Sequence, residues 1–441
     1  MRYSLPIGTR FISPLLEDTQ EKDEPVKIPE MLLMYFLLML TGNPFFTTWY
    51  DLIVMLSAVV TFYYMYKNSR KPISYRTIFI FVFLLGYEIM HSYVYQLDYS
   101  KTIIKLTLVL LLGFSVVHLL RDKFIRVLID TMIIISIVSW VFTALCYVPK
   151  LNWFLYDLAL ELFPMPLDVN KDYIPRTLLV YTFHPQFFEG HFTYARNAGI
   201  FWESGAFAVF LNISLYLRYI TKKIVVVKDL FDKKSLILII TVLSTTSTMG
   251  FLTLVVLLTF FTLKLRTRVK FLFLAMILPL FYVAFINVEY LGSKVSKQLE
   301  ESSQTNNRFG AALMDWEDIK KRPFIGSSRR IKVIFNTQQR TKDTRRPNGL
   351  TNFLRDYGII YFSFYFYLVF RSFNQIFYSY HGYTRPWTAF FGVFLLWLMA
   401  FSELLFDLPF FKALIFLSMV YFPITAHEEE EALTENQLQS V

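Results

Sequence analysis

The chain has 441 residues, 55% of them hydrophobic and 47 of them phenylalanine, with a mean hydropathy of +0.43. Only 18% are charged and apolar runs near 20 residues recur, which excludes an ordinary soluble domain and predicts a polytopic membrane protein. The formal charge of +10 then reads as cytoplasmic Lys and Arg plus whatever binds anions, not as a nucleic-acid surface. A single cysteine, Cys146, excludes an intrachain disulfide and a CxxC metal site.

In chain order, residues 1–27 are polar and are expected to be a cytoplasmic segment, without the pattern of a cleaved signal peptide. Residues 28–425 are expected to form the membrane domain. Its first apolar run, Met31 to Phe46, is short and broken by Gly42, Asn43 and Pro44. Spans follow at 49–66, 77–97, 102–120 and 124–147, then at 198–219, 235–247, 249–264 and 270–288. Three more lie at 350–370, 386–405 and 408–425, giving an all-α integral membrane protein of about twelve transmembrane helices. Residues 426–441 form an acidic tail.

The short loops set the orientation. Lys67 to Arg76, Arg121 to Arg126, Arg218 to Lys234 and Lys264 to Lys270 are basic, while the alternate connections hold almost no base. Both termini are therefore expected in the cytoplasm, and two long polar loops, 148–197 and 289–349, on the outer side. The second loop departs from the charge rule: it carries thirteen bases against seven acids, a difference of +6. Long loops are partly exempt, but an outward anion site is the sharper reading, since arginine donates to phosphate in pairs and stays charged. Asp315 to Ile319 reads as a short amphipathic helix, and the segment Asp315 to Lys321 is expected to turn its basic side inward as part of a lid formed by loop 289–349.

The stretch Arg196 to Gly205 carries an arginine and a glutamate into the apolar run that continues to Tyr219. Read as helix, it sets Arg196 and Glu203 two turns apart on one face, about 10 Å, with Gly199 between them leaving room for a close approach. Ionisable groups there normally face a polar cavity. Glu203 is the first candidate for a general base, and Asp356, His184 and His191 follow. The bland reading makes Glu203 a structural partner of Arg196 and Asp356 a helix-start charge. His184 and His191 share a loop with Glu189, but no HExxH spacing supports a metal, and none is expected.

These residues resemble a known family. Arg196-x-x-Gly199-x-Phe201-x-Glu203-x-Gly205 resembles the signature of the bacterial O-antigen polymerase and O-antigen ligase superfamily. Ser244 to Gly250 resembles its Ser/Thr-Gly turn between two spans. Asn307-Arg308-Phe309, with Ala311 to Ile319 and Arg322 to Gly326, resembles its large-loop pattern, and Asn348, Gly358 and Tyr361 resemble its His-Asn and Gly-x-x-Tyr motif. The resemblance implies a GT-C-like membrane glycosyltransferase of the bacterial inner membrane. Such an enzyme would transfer glycan at the outer leaflet from undecaprenyl pyrophosphate, inverting and metal-independent, with no cofactor. Its partners would be lipid-linked oligosaccharide repeat units, membrane lipids, and the chain-length regulator and flippase of the same pathway. Two arginines would hold the pyrophosphate, here Arg196 and Arg308, and Asn348, Arg345 and Arg346 would complete the binding set. Pro347 stands where a ligase has its histidine, which favours polymerase over ligase. Thr248 stands where many members carry an arginine, which Arg345 or Arg346 would replace. The alternative from another class is a flippase for lipid-linked sugars, although no internal repeat is present and the notable charges gather at one face.

Overall fold

The computed structural model describes residues 25–48, 50–68, 74–95, 99–148, 150–164, 175–183, 196–265, 270–272, 274–275, 279, 308–327, 330–335, 338–343 and 346–421. These are mostly helical. The first half holds α1 (Ile28–Gly42), α2 (Pro44–Thr48), α3 (Tyr50–Asn68), α4 (Tyr75–Val94), α5 (Tyr99–Leu120), α6 (Phe124–Cys146) and α7 (Leu151–Leu162). The second holds α8 (Ser204–Thr221), α9 (Lys233–Ser244), α10 (Thr248–Leu263), α11 (Arg308–Lys321), α12 (Gly349–His381), α13 (Pro386–Ala400) and α14 (Pro409–Leu414). Strand occurs as two antiparallel hairpins in the polar loops. One pairs β1 (Arg176–Thr177) with β2 (Thr182–Phe183), the other β3 (Arg330–Phe335) with β4 (Gln338–Asp343).

Among the described residues two helical stretches are long and apolar enough to cross a membrane, Tyr75–Val94 and the 46 residues Lys101–Cys146. The second is broken by a turn at Arg121–Lys123, where Arg121 has φ 48°, and so comprises α5 and α6. The exterior is apolar in stripes. On α3, Leu52, Met55, Leu56, Val59, Val60, Tyr63 and Tyr64 are exposed at helical spacing, while Val54, Ala58 and Met65 are buried. Ile134, Ile137 and Val141 repeat this on α6. Inside, by contrast, sit Glu88, Arg355, Glu403 and Lys412. Water would penalise so much exposed apolar surface, and lipid would not.

Helix α8 is the centre. Every residue from Ala206 to Leu217 is buried, including Asn212 and Ser214, and α6, α9, α10, α12 and α13 pack around it. Small polar groups survive there because they bond locally. Ser214 Oγ donates to the Phe210 carbonyl at 2.8 Å, and Asn212 Nδ2 to the carbonyls of Ala208 at 2.8 Å and Gly250 at 3.2 Å.

Two expected spans change shape. The run at 198–219 becomes helical only at Ser204. The described part of the run at 408–425, up to residue 421, is the six-residue α14 and a turn at Leu417–Met419, with Phe410, Phe411 and Ala413 to Leu417 fully buried against protein. A continuous apolar run reports burial without saying whether lipid or protein does the burying. Of the expected span at 270–288, most residues lie outside the described ones.

Candidate functional site

Residues 196–203 form a folded, non-helical approach to α8, which corrects the expectation that Arg196 and Glu203 share a helix face. Gly199 has φ +54°, a backbone setting that a helix cannot contain and most side chains avoid. The space beside it is filled, not open: a Cβ there would lie 2.9 Å from the Phe207 ring. Irregular backbone at this depth survives only if other groups satisfy it. Trp202 N donates to the Gly42 carbonyl at 2.8 Å, Thr182 N to the Gly199 carbonyl at 2.7 Å, and Asn43 Nδ2 to the Ile200 carbonyl at 2.8 Å.

Arg196 joins two of the sequence motifs. Its Nε donates to the Thr245 carbonyl at 3.3 Å and to Thr246 Oγ1 at 2.9 Å, and its Nη2 to the Thr246 carbonyl at 3.2 Å. Asn197 continues the seam, its Nδ2 donating to Ser139 Oγ at 2.8 Å and Ser244 Oγ at 3.0 Å. The Ser/Thr-Gly turn between α9 and α10 is therefore held by the arginine of the first motif. Thr246, with φ 47°, is the residue whose strained backbone that guanidinium covers.

Glu203 is the N-cap of α8, with extended backbone and no capping bond from its side chain. Beside it, Gly205 creates a gap that another acid fills. A Cβ on Gly205 would lie 2.7 Å from Glu403 Oε1 and 3.3 Å from Glu203 Oε1. The backbone at Glu403 is fixed in turn by Gly349, where a Cβ would overlap the Glu403 carbonyl oxygen. Asn348, one residue earlier, caps α12 through Thr351 N at 3.1 Å and donates to the Arg308 carbonyl at 3.4 Å. Phe309 stacks edge-on against Phe401, centroids 5.2 Å apart. Segments 203–205, 308–309, 348–349 and 401–403 thus meet at one point.

Arg308 is half-buried at the head of α11, and its side chain makes no hydrogen bond or ion pair among the described residues. Arg346, expected to bind an anion, instead bonds Asp315 at 2.6 Å and Asp318 at 3.0 Å. Asp356 accepts from Arg355 Nε at 2.9 Å, which makes it an ion-pair partner and not a free base. The inward face of α11 is acidic, correcting the expected basic one: Asp315 is fully buried and accepts from Arg346, Arg355 and Thr351, while Lys320 and Lys321 are exposed. Burial selects the acid because α12, with Arg355, and the approach to it, with Arg346, bring the bases to meet it. His184, His191 and Arg345 lie outside the described residues.

The large-loop motif and the Gly-x-x-Tyr motif lock through their backbones. Gly326 (φ +77°) and Gly358 (φ +70°) cross so closely that a Cβ on Gly326 would lie 2.4 Å from the Asp356 carbonyl oxygen, and one on Gly358 2.3 Å from that of Phe324. Ser327 N donates to the Arg355 carbonyl at 2.7 Å and Ile359 N to the Pro323 carbonyl at 2.8 Å, so α12 is broken at Gly358. Tyr87 from α4 closes the crossing, its hydroxyl donating to the Tyr357 carbonyl at 2.6 Å.

Sequence reasoning missed Glu403 and Arg176. Glu403 ends an apolar run and reads as a helix-end charge, although an acid inside such a run is itself a signal. Arg176 is 4% exposed in the first polar loop, with Nε and Nη1 lacking a partner. Among the described residues no three of His, Cys, Asp and Glu cluster as metal donors. Compared with known protein families, curated proteins and solved structures, the chain matches none.

Proposed function

We propose that the chain is a polytopic inner-membrane glycosyltransferase, a polymerase of surface-polysaccharide repeat units such as those of O-antigen, capsule or exopolysaccharide. The donor is an oligosaccharide on undecaprenyl pyrophosphate and the acceptor a second lipid-linked chain, both at the outer leaflet. The observation that carries this reading is the junction at Gly205. There Glu203, the head of α11 with Arg308, the Asn348–Gly349 cap and Glu403 come together from segments up to 200 positions apart. The polarity of the molecule supports it too, with apolar stripes outside and charge inside.

In this reaction an acceptor hydroxyl oxygen attacks the anomeric carbon, the carbon–oxygen bond to the pyrophosphate breaks, and the hydroxyl proton passes to Glu203. Half-buried at the mouth of α8, Glu203 is placed to touch substrate. Arg308 supplies paired donors to the leaving pyrophosphate, the largest electrostatic term available. Arg196 acts further back, by holding the turn at Thr245–Thr246. Pro347 is exposed where a ligase would present histidine, which favours the polymerase.

The test is a membrane assay with purified lipid-linked repeat units, read by the mass of the product glycan. Glu203→Gln keeps the shape and loses the base, and should lower chain elongation by about 10²–10⁴-fold while the protein accumulates normally. Wild-type chain lengths from Glu203→Gln would end the proposal.

A further inference from the structure

We infer that the corner where α8, α10 and α12 end and α13 begins binds the phosphate of an anionic phospholipid, at the opposite end of α8 from the junction at Gly205. This rests on the membrane placement in the reading above and not on its chemistry.

The corner is built by short-range contacts. Lys264 follows the last residue of α10 and is half-buried. Its Nζ lies 4.0 Å from the centre of the Phe260 ring and donates to Thr388 Oγ1 in the first turn of α13. Thr388 N donates in turn to the Arg385 carbonyl at 2.8 Å, so both bases are held to one turn. His381 joins the other two helix ends: its Nε2 bonds the Ile220 carbonyl of α8 at 2.9 Å, and its ring centre is 4.3 Å from that of Phe377. Gly382, with φ +71°, stops α12 there and turns the chain, which returns Arg385 to the same corner within four residues. The charges of Arg385 and Lys223 both reach the His381 imidazole, and that of Arg385 also reaches Lys264.

No acid answers these bases. Asp232 is taken by Arg218 and, at 3.5 Å, by Lys222, while Asp229 accepts from the amides of Val225 at 2.9 Å and Val226 at 3.0 Å. Lys223, Lys264 and Arg385 make no ion pair among the described residues. The carbonyl ends of three helices draw bases to the corner, but they are partial charges and leave most of the positive field unanswered.

The surroundings select the anion. Trp387, next to Thr388, is 77% exposed, and Phe390 and Phe394 follow it along α13 at helical spacing, exposed as well. An aromatic ring at the mouth of an apolar stripe is the pattern of a lipid interface. The short basic loops place this end of the bundle on the cytoplasmic side, where basic corners between helix ends take anionic headgroups. A phosphate that carries acyl chains engages both the bases and the rings, whereas a free phosphate would engage the bases alone.

The experiment uses the full chain in nonionic detergent, titrated with phosphatidylglycerol or phosphatidylcholine, with the bound lipid counted by native mass spectrometry. Phosphatidylglycerol should bind at least about tenfold more tightly, since each nearby base contributes about fivefold. Lys264→Gln with Arg385→Gln should weaken phosphatidylglycerol by about 25-fold and leave phosphatidylcholine unchanged. Lys264→Arg with Arg385→Lys keeps both charges and should stay within about threefold of the wild type, which guards against a variant that merely misfolds. Lys67→Gln with Lys234→Gln removes two bases elsewhere on the same side and should change binding less than about twofold. Inorganic phosphate, added at the concentration of the lipid, should displace none of it. Equal binding of the two lipids, an equal loss in the Lys67 and Lys234 variant, or displacement by inorganic phosphate would each overturn the inference, even in a chain that makes polymer. The stated preference in a chain that makes no polymer would uphold the site and sink the polymerase reading alone.

Discussion

Two junctions a few residues apart are built in different ways. Where α11 docks on α12, the fully buried Asp315 meets Arg346, Arg355 and Thr351, so charges of both sign are matched. Where α8 meets the end of α13, two acids face one glycine. Matched charge fixes a position and gives it nothing further to do. At Gly205 the missing side chain is what lets the two acids approach the same spot. The contrast separates a junction built by charge from one built by the absence of a side chain.

The comparison breaks most sharply at Asp315. Asp315→Ala removes the buried carboxylate that Arg346 and Arg355 share, leaving Asp318 to the first and Asp356 to the second, and should cost about 3–5 kcal/mol, read as a large fall in the melting temperature of detergent-solubilised protein. Gly358→Ala attacks the backbone crossing instead. It forces a side chain into a backbone setting near φ 70°, ψ 175° and onto the Phe324 carbonyl, and should cost about 2–3 kcal/mol in the same measurement. A smaller effect is expected at the far end of α12. Burial, joined by the charges of Arg385 and Lys223, holds the His381 imidazole below its ordinary value even though its Nε2 bonds the Ile220 carbonyl at 2.9 Å. Its neutral form is favoured by folding, so its contribution is full above about pH 6.5 and is lost as the pH falls below that. Melting temperature should drop by about 1–2 °C more in the wild type than in His381→Gln between pH 7 and pH 5.5. Least of all should follow from Lys320→Ala and Lys321→Ala, whose pairs with Glu317 and Asp318 are exposed, and a change under about 0.5 kcal/mol is expected. A large loss there would mean that the outer face of α11 is itself a contact surface.

Much of the helical layout was legible, because hydrophobic period and length speak directly to α3, α4, α5 and α6. The start of α8 was not. Apolar residues resume at Ala198, and the φ of Gly199 and the bonds to Gly42, Asn43 and Thr182 stop the helix from beginning there. The site was legible in part. Glu203 was read as a charge beside an apolar run and Arg308 through the large-loop resemblance, whereas the pairing of Arg346 with Asp315 and Asp318 is set by docking across 31 and 28 positions and not by spacing. Glu403 went unseen because the pattern of its own segment gives no hint that Gly205, 198 positions earlier, has left it a space.

The break after α1 has a consequence in time. Asn43 puts a polar side chain between two apolar helices, and its partners are Thr177 Oγ1 at 3.0 Å and the Ile200 carbonyl, 157 positions later. At ordinary rates of synthesis the chain needs on the order of 10–30 s to reach that partner. For that interval the amide must be served by water or by the insertion machinery. The bonds that seat Asn43 can therefore form only once residue 200 has been made, long after the helix before it.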